Sequence, residues 1–520
     1  MLAIVLLLAL PFCTAESASS YAGSTVVDSY PPPGATNTAI DAYFPDASQV
    51  GYAGPTPTGA EPAAIVTAIP FSKIENVFPL SRPNSADGAN VTFDVMRHWG
   101  NLSPLYSVES FGLPGASPVI PEGCGINAVH LLMRHGARYP TSGSGGSRLA
   151  SDIHAAASKE GFSVTGDLEF LATWTYKLGA ETLTPFGRNS LFSNGVAFRY
   201  RYGELLNAFT DLPVFRTTSE DRMVDSALNF AAGFFGVRTY ETDYHQEIII
   251  EENNFNNTLA PYDVCTNSNN ADIGRFGGTQ AGKWANIYLE DAQMRLQPMI
   301  QGFNLTISRL FYMQQLCAYE TVALGYSKFC DLFTEKEWEG YEYFNDFWYS
   351  YGPGNPTAAA LGLGYVQELV SRLTHTPISV WNSSTNSTLD SSNITFPLNQ
   401  PIYVDASHDS RKPPLTSISD QSHQSYIVSQ IAPFACQLVA QVLSCPASEE
   451  PTHIRFLLND GVMPLTGIHG CTEDSNGLCA LPSFISGMHE RIGEINYAHD
   501  CFANYTMPDP DNIIDGRYPS

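Results

Sequence analysis

The sequence predicts an α/β protein in which helices interrupt a sheet, and three observations carry that prediction. Residues 126–133 (INAVHLLM) form a compact apolar run that stops at Arg134-His135-Gly136, as a buried strand feeding a loop does. Residues 214–217 are a second strand candidate, followed by Thr217-x-x-Glu220, the pattern of a capping box, and by Met223, Ala227, Phe230, Ala231 and Phe234 at helical spacing. Long helical stretches then occur at about 165–182, 279–300, 306–325, 334–350 and 358–374. Strand–helix alternation broken by helix-rich segments reads as a sheet domain carrying an inserted helical domain.

The remaining elements follow from local signals. Further strands are expected at 246–251 and 401–404, and 454–458, Asn459-Asp460-Gly461 and 462–465 read as a hairpin. The apolar segment IAPFACQLVA around Cys436 reads as a helix, and Gly143-Ser144-Gly145-Gly146-Ser147 as flexible chain. The low-complexity stretch 381–395 (WNSSTNSTLDSSNIT) reads as an exposed loop. The folded region is expected over 71–510, with helical insertions at roughly 142–210 and 270–350.

Ahead of it, residues 2–12 are almost wholly apolar and Cys13-Thr14-Ala15 offers small residues for cleavage, so 1–15 reads as a signal peptide, although it lacks Lys or Arg at its start. The run is too short to span a bilayer, and no later segment is long and apolar enough. Residues 16–70, rich in Ser, Gly, Pro, Ala and Thr, show no apolar period and read as a flexible segment.

Composition narrows the class of partner. Of 520 residues 43% are hydrophobic, which suits a packed protein, and 52 Asp and Glu against 26 Lys and Arg give a net charge of −26. Such a chain repels nucleic acid and anionic membranes at neutral pH, so neither is an expected partner. Eight Asn-x-Ser/Thr acceptors, at Asn90, Asn101, Asn256, Asn304, Asn382, Asn386, Asn393 and Asn504, fit a secreted glycoprotein. Ten widely spread cysteines become nine once Cys13 leaves with the leader, which favours disulfides and one remaining thiol. No Cys-x-x-Cys or His-rich cluster suggests zinc.

The chemistry concentrates at Arg134-His135-Gly136-Ala137-Arg138-Tyr139-Pro140-Thr141. Arginine offers a phosphate dianion planar, bidentate donors that stay charged at any working pH. A histidine between two arginines can attack phosphorus directly, and the following glycine admits close backbone approach. Arg216 closes a second strand candidate, and His408-Asp409 follows a third. Asp409 can protonate a leaving alkoxide while His408 holds a phosphate oxygen. Asp409 must be protonated to donate, and His135 neutral to attack, so activity is expected below neutrality.

With those residues in view, the chain resembles the histidine acid phosphatases, in particular the fungal secreted acid phosphatase and phytase branch. RHGARYPT fits the family motif RHGxRxPT, and the likeness runs over about 98–505 through WGNLSP (99–104), LTPFGRN (183–189), FRTTSEDRMVDSALNFAAGF (215–234), NNTLAPYDVC (256–265), YGPGNP (351–356), SHDS (407–410) and LLNDGVMPLTGIHGC (457–471). The resemblance implies a mixed-sheet α/β domain with a smaller α-helical domain over the site, the fold shared with phosphoglycerate mutase, and no metal or other cofactor. It implies His135 as nucleophile, Asp409 as proton donor, and Arg134, Arg138, Thr141, Arg216 and His408 as phosphate ligands. It also implies disulfides Cys124–Cys445, Cys265–Cys501, Cys317–Cys330 and Cys471–Cys479, leaving Cys436 a reduced thiol.

The expected substrates are small phosphate monoesters. Phytate is a dense polyanion, yet the stretch after the motif (142–151) carries only Arg148, and 336–346 carries one lysine against four acids. Broad phosphomonoesterase activity with phytate as a weaker substrate is therefore expected, unless Lys283 or Lys328 folds into the mouth. A dedicated phytase and a non-catalytic secreted glycoprotein of the same fold are the alternatives. The leader, sequons and cysteines argue against a mutase-like phosphotransferase, and the missing Gly-x-Ser-x-Gly argues against a serine hydrolase.

Overall fold

A computed structural model describes residues 93–113, 115–351, 356–408 and 427–507. The leader at 1–15, the segment 16–70, the start of the folded region near 71, Asn90 and Asp409 lie outside the described residues.

Among the described residues the strands are, in chain order, β1 (Gly125–Arg134), β2 (Ser163–Val164), β3 (Val214–Thr218), β4 (His245–Ile249), β5 (Ile300–Gln301), β6 (Ile402–Ser407), β7 (Gln437–Ser444), β8 (His453–Leu458), β9 (Gly461–Met463) and β10 (Cys479–Ala480). One mixed sheet takes the order β10-β8-β7-β1-β6-β3-β4, with β9 paired to β8, while β2 and β5 form a separate ribbon. β1, β6, β3 and β4 run parallel, and β7 lies antiparallel on the other side of β1. Arg134 and Ser407 stand in register at the ends of β1 and β6. The chains leaving the parallel strands therefore emerge together at one edge, where open α/β sheets bind ligands.

The helices are α1 (Gly145–Ala157), α2 (Pro185–Tyr202), α3 (Asp221–Phe235), α4 (Phe276–Tyr288), α5 (Glu290–Leu296), α6 (Ile307–Leu324), α7 (Glu335–Tyr351), α8 (Pro356–Thr374), α9 (Val428–Ile431), α10 (Leu481–Glu494) and α11 (Tyr497–Phe502). α2 and α3 join one sheet face through Leu191, Phe198, Phe230 and Phe234, packed with Val129, Leu131 and Val404. On the other face Val366 and Leu369 of α8 and Phe484 and Met488 of α10 pack with Val442 and Phe456. A further core is helical and unites Leu149, Ile153, Leu296, Leu310, Met313, Phe329 and Trp338. The expected insertion at 142–210 thus divides: α1 joins the helical core and α2 the sheet.

Several local expectations are corrected. Thr217 lies inside β3, and α3 is capped at Glu220 without a side-chain cap bond, so the capping box does not form. The helix expected at 165–182 is a short 3-10 turn, Gly166–Ala172, whose Leu168 and Leu171 are buried like a helical stripe. The stretch expected at 279–300 breaks into α4 and α5, then ends in β5. The Gly143–Ser147 region is helical from Gly145, where a Cβ would sit 2.2 Å from the Tyr312 ring, so the glycine lets α1 close on α6. Cys436 precedes β7 rather than lying in a helix, because Pro433 and the left-handed Ala435 (φ 60°) end α9. The expected hairpin forms, with Asn459 and Asp460 at φ 48° and 70° between β8 and β9.

Among the described residues four disulfides are present, Cys124–Cys445, Cys265–Cys501, Cys317–Cys330 and Cys471–Cys479, the pairs the family resemblance implies. No described helix is long and apolar enough to cross a membrane.

Candidate active site

β1 delivers Arg134 and His135 to the ligand-binding edge of the sheet. The His135 amide donates to the Ser407 carbonyl at 3.2 Å, and its own carbonyl accepts from Ala435 at 2.9 Å, so the turn is clamped between β6 and the entry to β7. Gly136 is needed there because a Cβ would sit 2.5 Å from the Gly187 carbonyl oxygen and from Leu191. Gly187 is needed in turn, since its Cβ would lie 2.0 Å from the Ala137 oxygen. The N-terminus of α2, capped by the Thr184 hydroxyl accepting from the Gly187 amide at 3.0 Å, thereby seats directly on the motif.

His135 is 2% exposed and its Nδ1 lies 2.9 Å from the Gly136 carbonyl oxygen. A carbonyl only accepts, so Nδ1 carries the proton and the lone pair belongs to Nε2. Arg134 is equally buried; its guanidinium donates to the carbonyls of Asn101 and Ala432 and lies 4.7 Å from the Phe434 ring centroid. These bonds fix the arginine against a wall of backbone and aromatic ring. Arg138 donates to the Tyr139 carbonyl at 2.9 Å. Thr141 is exposed, and its carbonyl accepts from the Ser144 amide in the turn after the motif.

His408, just beyond β6, stands edge-on to His135 with ring centroids 5.8 Å apart. Its Nε2 lies 3.0 Å from a Glu251 carboxylate oxygen and 3.6 Å from one of Glu220. Burial pushes the Glu251 carboxyl up, but the hydrogen bond and charge of His408, with the bond from the Tyr262 hydroxyl, outweigh it and bring it down to about 2. Glu251 is therefore an anion throughout the acid range and holds His408 as a donor.

Arg216 is corrected. Its guanidinium is 2% exposed and donates to Asp405 at 2.7 Å and to Glu368 of α8 at 2.5 Å, while Arg372 donates to Asp405 at 2.6 Å. A phosphate would have to outcompete two buried carboxylates, so Arg216 is a supporting cation within the fold. The cation missed by sequence reasoning is Arg222, six residues on, which pairs with Glu220 and with Glu181 at 3.2 Å. Glu220 also feels the charge of Arg138, which places Arg222 and Arg138 around one carboxylate. A usable signal was present: an arginine in the first turn of a helix opposes the helix dipole and calls for an anionic partner.

Glu220, Glu251 and His408 bring ligand atoms within 4.8 Å of one another, the arrangement that a divalent cation would need. Here Arg222 and the His408 N–H already satisfy the two carboxylates, so protein cations stand where a metal ion would.

Of the lysines weighed for the mouth, Lys283 bonds Gln280 of its own helix at 3.0 Å, and Lys328 sits 3.8 Å from Asp331. Among the sequons, Asn256, Asn304, Asn382, Asn393 and Asn504 are exposed and Asn101 and Asn386 half-buried. Asn256 and Asn386 also tie two loops together, donating to the carbonyls of Thr385 and Asn256, each at 3.0 Å.

A histidine with a directed lone pair, set among arginines at the ligand-binding edge of a mixed sheet, defines an enzyme of phosphate esters. Residues 125–459, more than half the chain, match the family described as the histidine phosphatase superfamily, branch 2. The chain belongs to that family and is a phosphoric monoester hydrolase of its acid phosphatase and phytase type. It is 34% identical over 435 residues to Phytase A of Aspergillus fumigatus, covering 78% of this chain and 90% of that one. Phytase A of Emericella nidulans is 35% identical over 436 residues, covering 78% and 91%. The fold is similar to the crystal structure of the phytase from D. castellii, with a TM-score of 0.64 at 24% identity over 81% of this chain and 92% of that one.

Proposed function

We propose that the protein is a secreted acid phosphatase of broad specificity that works through a phosphohistidine at His135. The observation that carries this reading is the 2.9 Å contact from His135 Nδ1 to the Gly136 carbonyl, which leaves Nε2 as the only ring atom with a lone pair. Nε2 attacks phosphorus as the ester P–O bond breaks, and Asp409 gives its proton to the departing alkoxide. Asp409 then takes a proton from water, whose oxygen attacks the phosphohistidine, releasing inorganic phosphate and returning the histidine. Arg134, Arg138 and Arg222, with His408, stabilise charge on the phosphoryl oxygens in the transition state. Thr141 lies on the motif's exposed side, where it meets the ester's outer part.

The leader, the eight sequons and the four disulfides support secretion. A dedicated phytase is the second reading, favoured by the name Phytase A that the relatives carry. The charge around the site favours the broader one: Glu181, Glu220 and Glu251 already sit on its cations.

The test is hydrolysis of p-nitrophenyl phosphate and of phytate from acid to neutral pH, with chelator present, for wild type and His135→Ala. Chelator-resistant acid activity that disappears in the variant is expected, with kcat/KM higher for the simple ester. A higher kcat/KM for phytate selects the dedicated phytase, and a folded protein inactive on both esters overturns the catalytic reading.

A further inference from the structure

We propose that Glu220 is a specificity-determining residue: its carboxylate competes with incoming phosphate for Arg222 and His408, and so turns the site against polyanionic esters as the pH rises. The inference rests on the proposed phosphate site and names what selects among its substrates.

Glu220 caps α3, yet its side chain makes no capping bond. The helix does not need that carboxylate where it lies. It turns instead onto the Arg222 guanidinium and approaches His408 Nε2 to 3.6 Å. One is a guanidinium and the other an imidazole N–H donor, and a phosphoryl group must reach both. The charged groups around Glu220 come from every neighbouring element. Arg222 lies on its own helix, Arg138 on the turn after β1, and Glu181 on the segment before α2. Glu251 follows β4 and His408 follows β6.

Three carboxylates thus face Arg138, Arg222 and His408, so these groups together offer no surplus of positive charge, and Arg134 supplies what remains. A single phosphate can be held by such a site. A ring bearing several phosphates meets the same carboxylates with every group it brings near, and its repulsion grows with its charge. The three acids are not equivalent. Glu251 is bound to His408 and held down to about 2, so it stays ionised in the working range. Burial pushes the Glu220 carboxyl up; Arg222 opposes this, Glu251 and Glu181 reinforce it, and Arg138 opposes it. Glu220 is therefore the acid here that takes up a proton as the medium becomes more acidic. Once neutral, it releases Arg222 and His408 to the ligand.

The experiment uses the full chain, wild type and Glu220→Gln, with myo-inositol hexakissulfate as the probe. Its sulfates stay ionised across the acid range, so any pH dependence of binding belongs to the protein. Binding is read by calorimetry, which needs no turnover. The wild-type Kd is expected to weaken by roughly tenfold between about pH 3.5 and about pH 6, and that of Glu220→Gln several-fold less, the two agreeing at the acid end. The phytate to p-nitrophenyl phosphate ratio of kcat/KM near pH 6 should rise in the variant by a similar several-fold factor. Parallel Kd curves for the two proteins overturn the proposal. Glu220→Asp, which keeps the charge and draws it back, should retain the wild-type pH slope in part. A series whose Kd follows melting temperature rather than side-chain charge also overturns it. Loss of hydrolysis on both esters would instead strike the functional reading and leave the binding curves to decide this one.

Discussion

The Arg216 guanidinium donates to Asp405 at 2.7 Å, across two adjacent parallel strands, with Glu368 closing the pair from α8. Arg222, six residues later, is 14% exposed in its side chain and bound to carboxylates at the site. Substitution should separate the two. Arg216→Ala leaves Asp405 and Glu368 buried with one cation fewer and should cost on the order of 3–5 kcal/mol of stability. Arg222→Ala should leave the melting temperature near wild type and lower kcat/KM by roughly 100-fold or more. Thermal melts and steady-state kinetics on p-nitrophenyl phosphate check both; a stable Arg216→Ala with weakened phosphate affinity would return Arg216 to the site.

His135→Ala should fold, because the Nδ1 bond it loses runs to the carbonyl of the adjacent residue, Gly136, and ties no distant elements together. Rapid acid-free quenching of wild type with radiolabelled ester should trap phosphate on the protein, and the variant should trap none. Label retained on the variant would mean that the nucleophile is elsewhere.

Gly187→Ala is a test of how the motif is seated. The added Cβ would lie 2.0 Å from the Ala137 carbonyl oxygen, backbone that cannot swing aside like a side chain. α2 and the His135 turn must then separate, and kcat should fall by at least about 10-fold through misplacement alone. Gly282→Ala, where the position opens on free space, should be silent in the same assay.

Stability should decline from acid toward neutral pH. Burial pushes Glu247 up to about 7, opposed by Arg216 and reinforced by Glu368 and Asp405. Burial likewise raises Glu342 to about 7 and Asp390 to about 8. The folded state holds these protons more tightly than the unfolded chain. Its advantage is whole below the unfolded value of 4.5 and is lost as pH rises through about 7 for Glu247. Glu247→Gln cannot ionise, so its urea midpoint should fall less between about pH 4 and about pH 8, by an amount worth on the order of 3 kcal/mol at most. Parallel midpoints in variant and wild type would show that Glu247 does not contribute.

Much of this was legible in the sequence because chemistry and periodicity coincide there. β1 ends where INAVHLLM meets Arg134, and α3 buries Met223, Ala227, Phe230, Ala231 and Phe234 as their spacing requires. α2 escaped notice because its buried face is built partly from Gly187, Asn194 and Gly195, residues that allow close approach rather than mark an apolar stripe. β7 was hidden because it is buried nearly throughout, so its apolar residues, broken only by Gln441, show no period of two to separate it from a helix. Arg216 misled for another reason. A cation at a strand end looks the same in one dimension whether anions wait above it or below, and Asp405 and Glu368 come from positions 189 and 152 residues away. Glu251 lay within an expected strand and gave no sign that it would meet His408.

The bond between Cys124 and Cys445 joins the start of β1 to the end of β7. Everything between them is a covalent ring, and Arg134, His135, Arg138, Arg222, Glu251 and His408 all belong to it. Cys265 lies on the ring and ties it to Cys501 beyond. A protease that cuts one exposed loop within the ring opens it without releasing a fragment, and the severed ends stay held by the same sheet. A first cut in such a loop then need not end the enzyme's working life, and a nicked sample should hold its fragments together until reductant is added.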